Sequence, residues 1–194
     1  MARPAYRGDT PTAVTKLKDA FWQLLGEMNY SHITVKKLAG VAGVNPNTFY
    51  YHFATMDDLA KAALEEVQLS ELPPLLMSRF LTGTFPPGAL PDPGLLEERW
   101  QKIRLFLRSD STVLQRHVYD LLERYWLAAI GVSKETLSRE EYLDLTFLLN
   151  GAVAVIRQQD REYDLGFLQT LPERPLGKGI LQTLDDLTKK YNKA

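Results

Sequence analysis

Two helix-start signals frame a tight turn within residues 34–52. Thr34 stands ahead of Val35 and Asn45 ahead of Pro46, with Gly43 between them. Thr and Asn are good N-caps, and proline suits the first helical position, where its missing N–H costs nothing. Gly43 tolerates the positive φ that a sharp exit from a helix requires. The chain therefore has room for a short helix with Val35, Leu38 and Ala39 facing inward, a turn over residues 42–44, and a helix over 46–52. Seven residues are too few for a helix to stand alone, so packing must enforce the second one, with Val44 and Phe49 as the expected anchors. Asn45, Asn47, Thr48, Tyr50, Tyr51 and His52 crowd the same segment; most of them do not belong in a core and read as a contact surface.

A longer helix is expected upstream. Thr10-Pro11 offers a cap and a first residue, and Val14, Leu17, Phe21, Leu24, Leu25 and Met28 recur at helical spacing over about 16 residues. Asn29, Tyr30 and Ser31 close it. The order long, short, short is that of a unit of three helices.

Charge is distributed to match. The 194 residues carry a formal net charge of −1, yet residues 1–52 hold six basic side chains (Arg3, Arg7, Lys16, Lys18, Lys36, Lys37) against Asp9, Asp19 and Glu27. That local excess of +3 leaves −4 for the remainder, too little for an indiscriminate nucleic-acid coat. The absence of Cys excludes a disulfide scaffold, a thiol nucleophile and a Cys-ligated zinc finger. No apolar run follows the N-terminal arginines and no stretch approaches 18 apolar residues, so a cytoplasmic protein outside the membrane is expected. His32, His52 and His117 form no short metal-ligand pattern, no glycine-rich nucleotide loop is present, and nothing in the spacing brings two carboxylates together. No enzyme, metal or cofactor is expected.

The run TVKKLAGVAGVNPNTFYYHF over residues 34–53 closely resembles the DNA-binding domain of the TetR-type transcriptional regulators. The resemblance covers residues 12–67 specifically; the rest is similar to the family only in length and helical character. It implies an all-α protein with a helix-turn-helix domain at 1–54, joined by a linking helix to a C-terminal domain at 55–194 that binds an effector and dimerises. It further implies that the helix starting at Asn45 enters the major groove of double-stranded operator DNA. Asn45, Pro46, Asn47, Thr48 and Tyr51 would then read bases, while Thr34, Lys36, Lys37, Tyr50 and His52 approach the backbone.

The chain departs from the family pattern after the motif. Met56 stands where members commonly carry a phosphate-reaching lysine, and Asn47 where Gly is common. Thr55 and Asp58 resemble a capping arrangement, so the fourth helix should form, but Asp57 and Asp58 place negative charge where DNA would lie. These departures motivate an alternative: a TetR-like interaction module that acts through a partner protein.

Beyond Met56 the helical pattern runs through Leu59, Ala62, Ala63 and Val67 towards Leu72, where Pro73-Pro74 should break it. Residues 82–94, rich in Pro and Gly, read as a loop, and helices are expected at 95–107, 111–130, 138–159 and 177–191. Phe80, Phe85, Trp100, Phe106, Tyr119, Trp126 and Phe147 are candidates to line a pocket for a small apolar or amphipathic effector, with Arg104, His117 and Asn150 orienting its polar part. The helix over 138–159 is apolar around most of its circumference and demands burial from several directions. The resemblance implies a homodimer built from the last two long helices, with Leu149, Ala152, Val153, Ile156, Leu181, Leu184 and Leu187 as candidate contacts. The functional expectation is a ligand-responsive repressor acting on a palindromic operator and released by its effector.

Overall fold

The structure is a computed structural model that describes residues 12–68, 70–71, 73–75, 88, 92–158 and 173–191. Among these the fold is all-α, with helices α1 (Ala13–Glu27), α2 (Val35–Ala42), α3 (Pro46–His52), α4 (Met56–Glu65), α5 (Pro93–Arg108), α6 (Thr112–Ile130), α7 (Arg139–Gln158) and α8 (Pro175–Tyr191). Single 3₁₀ turns sit at Tyr30–His32 and Lys134–Thr136. The chain divides into two compact units, Met1–Glu66 with Ser109–Leu114, and Val67–Arg108 with Gln115–Ala194.

In the first unit α1 starts later than the Thr10-Pro11 signal suggests. Thr12 is the cap and accepts from the Thr15 N–H at 3.1 Å; Thr10 and Pro11 lie outside the described residues. Leu17, Phe21, Leu24 and Leu25 form the buried face of α1, and Leu38, Ala39 and Phe49 close over it from α2 and α3. Lys18 is also buried, and its ammonium meets Glu66 at 2.5 Å just beyond the end of α4. The fourth helix, placed with the C-terminal domain in the sequence reading, packs on α1 through Leu59, Ala60, Ala63 and Leu64 and falls in this unit. It also stops earlier than the proline pair would require. Glu65 is its last residue, and Gln68 takes a left-handed φ of 52°, so the chain has already turned before Pro73.

Ser109–Leu114, the turn between α5 and α6, belongs to the same unit. The Ser31 hydroxyl is the main group that holds the exposed Asp110 carboxyl below its ordinary range, with help from the Tyr30 and Ser31 backbone.

The second unit is stitched by caps. Asp92 Oδ1 accepts from the Leu95 N–H at 3.1 Å and Pro93 opens α5. Gly131, at φ 82°, ends α6, its N–H returning to the Leu127 carbonyl at 3.0 Å. Ser138 and Glu141 form a reciprocal capping box at α7, with Glu141 N–H to Ser138 Oγ at 3.2 Å and Ser138 N–H to Glu141 Oε2 at 2.8 Å. Trp100, Ile103, Phe106 and Leu107 from α5, Val118, Leu121 and Leu122 from α6, and Leu145 and Leu149 from α7 are buried. The end of α8 is clasped to the start of α7: Lys190 Nζ lies 2.7 Å and the Tyr191 hydroxyl 2.9 Å from the Glu141 carboxylate.

Lys190 first, then the Ser138 N–H and the Tyr191 hydroxyl, bring the Glu141 carboxyl from 4.5 down to about 2. A carboxyl depressed on folding adds stability that is complete above its unfolded pKa and is lost as pH falls through the folded one. Glu141→Gln should therefore melt below the parent at pH 7, with the gap narrowing as pH falls from 4.5 towards 2. Thermal melts followed by circular dichroism across that range check it; a gap independent of pH would refute the assignment.

Candidate nucleic-acid interface

The segment 43–53 is built from its caps outward. Gly43 takes φ 63°, and its N–H and that of Val44 return to the end of α2, the latter reaching the Ala39 carbonyl at 3.0 Å. Asn45 then opens α3, its Oδ1 accepting from the Asn47 N–H at 2.8 Å, with Pro46 as the first helical residue. Phe49 is fully buried and anchors the helix, with the Phe53 ring 5.9 Å away and the Tyr50 ring set edge-on at 5.3 Å. Val44, the other expected anchor, is only half-buried.

The opposite face of α3 projects outward. Pro46, Asn47, Tyr50, Tyr51 and His52 are exposed and Thr48 is half-buried; Tyr51 exposes 85% of its surface, with its ring edge-on to His52 at 4.9 Å. Two tyrosines this exposed on a seven-residue helix add little burial to the fold and leave a surface able to stack, hydrogen-bond and fill a groove.

The structure separates residues that the sequence reading treats alike. Asn45 is exposed, but its carboxamide oxygen is already spent on the cap, so a two-point contact with adenine through both amide atoms would require giving up that bond. Asn47 uses only its backbone N–H there and keeps its side chain available. Lys36 is exposed on α2. Lys37 instead folds back, its ammonium 3.1 Å from the His32 carbonyl and 3.4 Å from Met28 Sδ. Thr34 caps α2 through its hydroxyl, 3.2 Å from the Lys37 N–H.

The acidic pair at the start of α4 serves the fold. Asp58 completes the capping box, its Oδ2 accepting from the Thr55 N–H at 2.9 Å and hydroxyl at 2.8 Å. Asp57 accepts a hydrogen bond from the Tyr30 hydroxyl; half-burial and then this contact push the Tyr30 pKa upward. The Thr55–Asp58 box is the capping arrangement the sequence suggests, whereas the Tyr30–Asp57 contact is not visible there and Asp57 reads only as charge.

The candidates of the second unit fall in different environments. Trp100, Arg104 and Phe106 are buried on α5, while His117, Tyr119 and Trp126 are half-buried on α6. Phe147 is 73% exposed and Asn150 is exposed, its amide turned back onto the Thr146 carbonyl at 2.8 Å, so neither lines the interior of a single chain. Phe80 and Phe85 lie outside the described residues. Of the candidate dimer contacts, Leu149, Leu184 and Leu187 are buried within the chain, Val153 and Leu181 are half-buried, Ala152 is exposed, and the Ile156 side chain is outside the description. The sequence reading missed the apolar stripe that does face outward. Leu143, Phe147, Gly151 and Ala154 follow one another along α7, and Leu176 is exposed on α8. Spacings of three and four from Leu143 carry that signal, but a helix apolar on all sides hides which stripe is the outer one.

Among the described residues no group of His, Asp or Glu could hold a metal, and no helix is long and apolar enough to cross a membrane.

Residues 18–63, from the second turn of α1 to the last turn of α4, match the family of bacterial regulatory proteins, tetR family. An uncharacterized HTH-type transcriptional regulator of Haemophilus influenzae is 38% identical over 50 residues, covering 26% of this chain and 24% of that protein's length. Two solved structures align more widely at 17% identity. One is the TetR family repressor AlkX from Dietzia sp., with a TM-score of 0.45 over 91% of this chain and 97% of the other. The second is a TetR-family transcriptional regulator from Streptomyces coelicolor, with a TM-score of 0.42 over 93% and 99%. Over residues 18–63 the chain is therefore similar to the tetR family of bacterial regulatory proteins, and it spans about a quarter of the length of the curated relative it matches.

Proposed function

We propose that the chain is a homodimeric repressor that reads palindromic operator DNA through α3 and releases it when a small effector binds the second unit. The observation that carries the reading is the outer face of α3, where a buried Phe49 and a satisfied Asn45 cap hold Asn47, Tyr50, Tyr51 and His52 exposed on one short rigid element. Asn47, Thr48 and Tyr51 are the base-reading group, Pro46 offers apolar contact, and Tyr50, His52, Lys36 and Thr34 meet phosphates. Lys37 contributes charge from a position turned towards α1. Two-fold symmetry places a second α3 about 34 Å away, one duplex turn along the operator. The exposed stripe on α7, with Leu176 of α8, is the surface that would meet the symmetry mate; Ala152, Val153 and Leu181 border it, while Leu149, Leu184 and Leu187 support it from inside.

The reading in which the chain acts through a partner protein rests on Met56 and the acids after it. Asp57 and Asp58 have partners within the fold, so their presence does not by itself favour that reading.

Selection from random duplexes, at several salt concentrations, should return a two-fold symmetric site; failure to enrich any sequence would reject operator reading. Asn47→Ala should change the enriched bases while moving stability by less than about 0.5 kcal/mol, since its side chain is exposed and does not cap. Asn45→Ala should cost about 1 kcal/mol in denaturant unfolding through loss of the cap. Lys36→Ala should weaken all sites alike and lower the salt slope by about 1, and a changed base preference there would reverse its assignment. Phe147→Asp, at a side chain 73% exposed, should leave helix content intact and give monomers by sedimentation; a variant that stays dimeric would move the interface elsewhere.

A further inference from the structure

The interior of the second unit contains polar atoms that its own fold leaves unsatisfied. Nη1 of Arg104 on α5, Nε2 of His117 on α6, and the hydroxyls of Tyr119 on α6 and Thr146 on α7 are closed off from solvent and make no hydrogen bond. The two hydroxyls are neighbours and can satisfy each other after a small rotation. The weight therefore falls on Arg104 and His117.

The Arg104 side chain is nine-tenths buried, and only one arm of its fork is used, Nη2 lying 2.8 Å from Glu97 Oε1. A guanidinium does not lose its proton, so the other arm stays charged and desolvated, a state that is expensive without an acceptor. Arg104 stands one turn before the end of α5 and His117 in the second turn of α6, so the short connection over 109–111 brings both to the same end of the two helices. Among the described residues of this unit the other buried side chains are apolar, Ile103, Phe106, Leu107, Val118, Leu145 and Leu149 among them. A single anionic group with two acceptor oxygens on an apolar body answers both demands, since a carboxylate can take the free arm of the fork and the imidazole together.

We infer that the second unit binds an anionic amphiphile, a carboxylate on a compact apolar body, with Arg104 as its fixed counter-charge and His117 as its second polar contact. This rests on the reading of the unit as an effector domain and names the effector's class. Because solvent does not reach these atoms, the carboxylate enters only when α5, α6 and α7 part, so it selects a rearranged interior over the closed one.

The test uses the full chain with 4-phenylbutyrate and octanoate as probes, each paired with its neutral primary amide, and reads affinity by isothermal titration calorimetry. The acids should bind about tenfold or more tighter than the amides, the margin of one charge-assisted contact. Arg104→Gln should abolish that preference and leave amide affinity within about twofold. Should Arg104→Gln fail to fold, His117→Gln should still lower acid affinity several-fold with helix content unchanged. Amides binding as tightly as acids, a preference surviving in Arg104→Gln, or no binding of either acid at millimolar concentration would each overturn the inference. Operator release by the amides alone would leave the repressor reading standing and remove the anionic class. Tight acid binding with no effect on operator affinity would keep the site and remove its regulatory role.

Discussion

The burial of Phe49 is the contact on which the rest of the N-terminal unit depends. A helix of seven residues gains too few internal hydrogen bonds to offset the cost of its first turn, so α3 exists only while a side chain ties it to α1 and α2. Phe49 does this with no exposed surface, and Phe53 and Tyr50 brace its ring. With one face fully committed, the other is held rigidly outward, and that rigidity gives a handful of polar and aromatic groups a defined register. The same logic explains the investment in termini: Gly43, Asn45 and Pro46 fix where the helix starts, and the Thr55–Asp58 box fixes the element after it. A reading surface needs a fixed origin as much as the right side chains.

The turn and caps of this unit were legible because each depends on a local rule. Only a residue that accepts positive φ suits the Gly43 position, and Asn followed by Pro supplies both a cap and a first helical residue. The burial of Lys18 was not legible, because it depends on Glu66, 48 residues away, arriving at the end of another helix. The division of labour between Asn45 and Asn47 was hidden for a different reason. Both are amides beside one helix start, and only the conformation decides which side chain turns inward to cap.

In the C-terminal unit, helix positions were readable to within a few residues but faces were not. An amphipathic helix shows its inner side by contrast with a polar outer one, and α7 offers little contrast. Leu149 is expected on a partner surface, yet it is core together with Leu145, and the outward stripe begins with Leu143 and Phe147. Phe147 reads as a pocket residue in sequence because aromatics more often line interiors; its exposure depends on how α5 and α8 already fill the opposite side. Buried orphan atoms such as Arg104 Nη1 leave no trace in spacing at all, since a residue's satisfaction depends on every neighbour at once.

Net charge is the property whose meaning changes most with structure. The acids at 57 and 58 sit beside the exposed face of α3 in sequence and, counted as free charges, would oppose a polyanion. One instead caps α4 and the other anchors the Tyr30 hydroxyl, so removing either to favour DNA would loosen the unit that presents α3. The dipole of α4 offsets part of their charge at the same helix start. On the proposed reading, a small local excess of +3 cannot supply affinity by itself, and selectivity would have to come from geometry: one anchored helix, its few outward side chains, and a second copy held at the right distance.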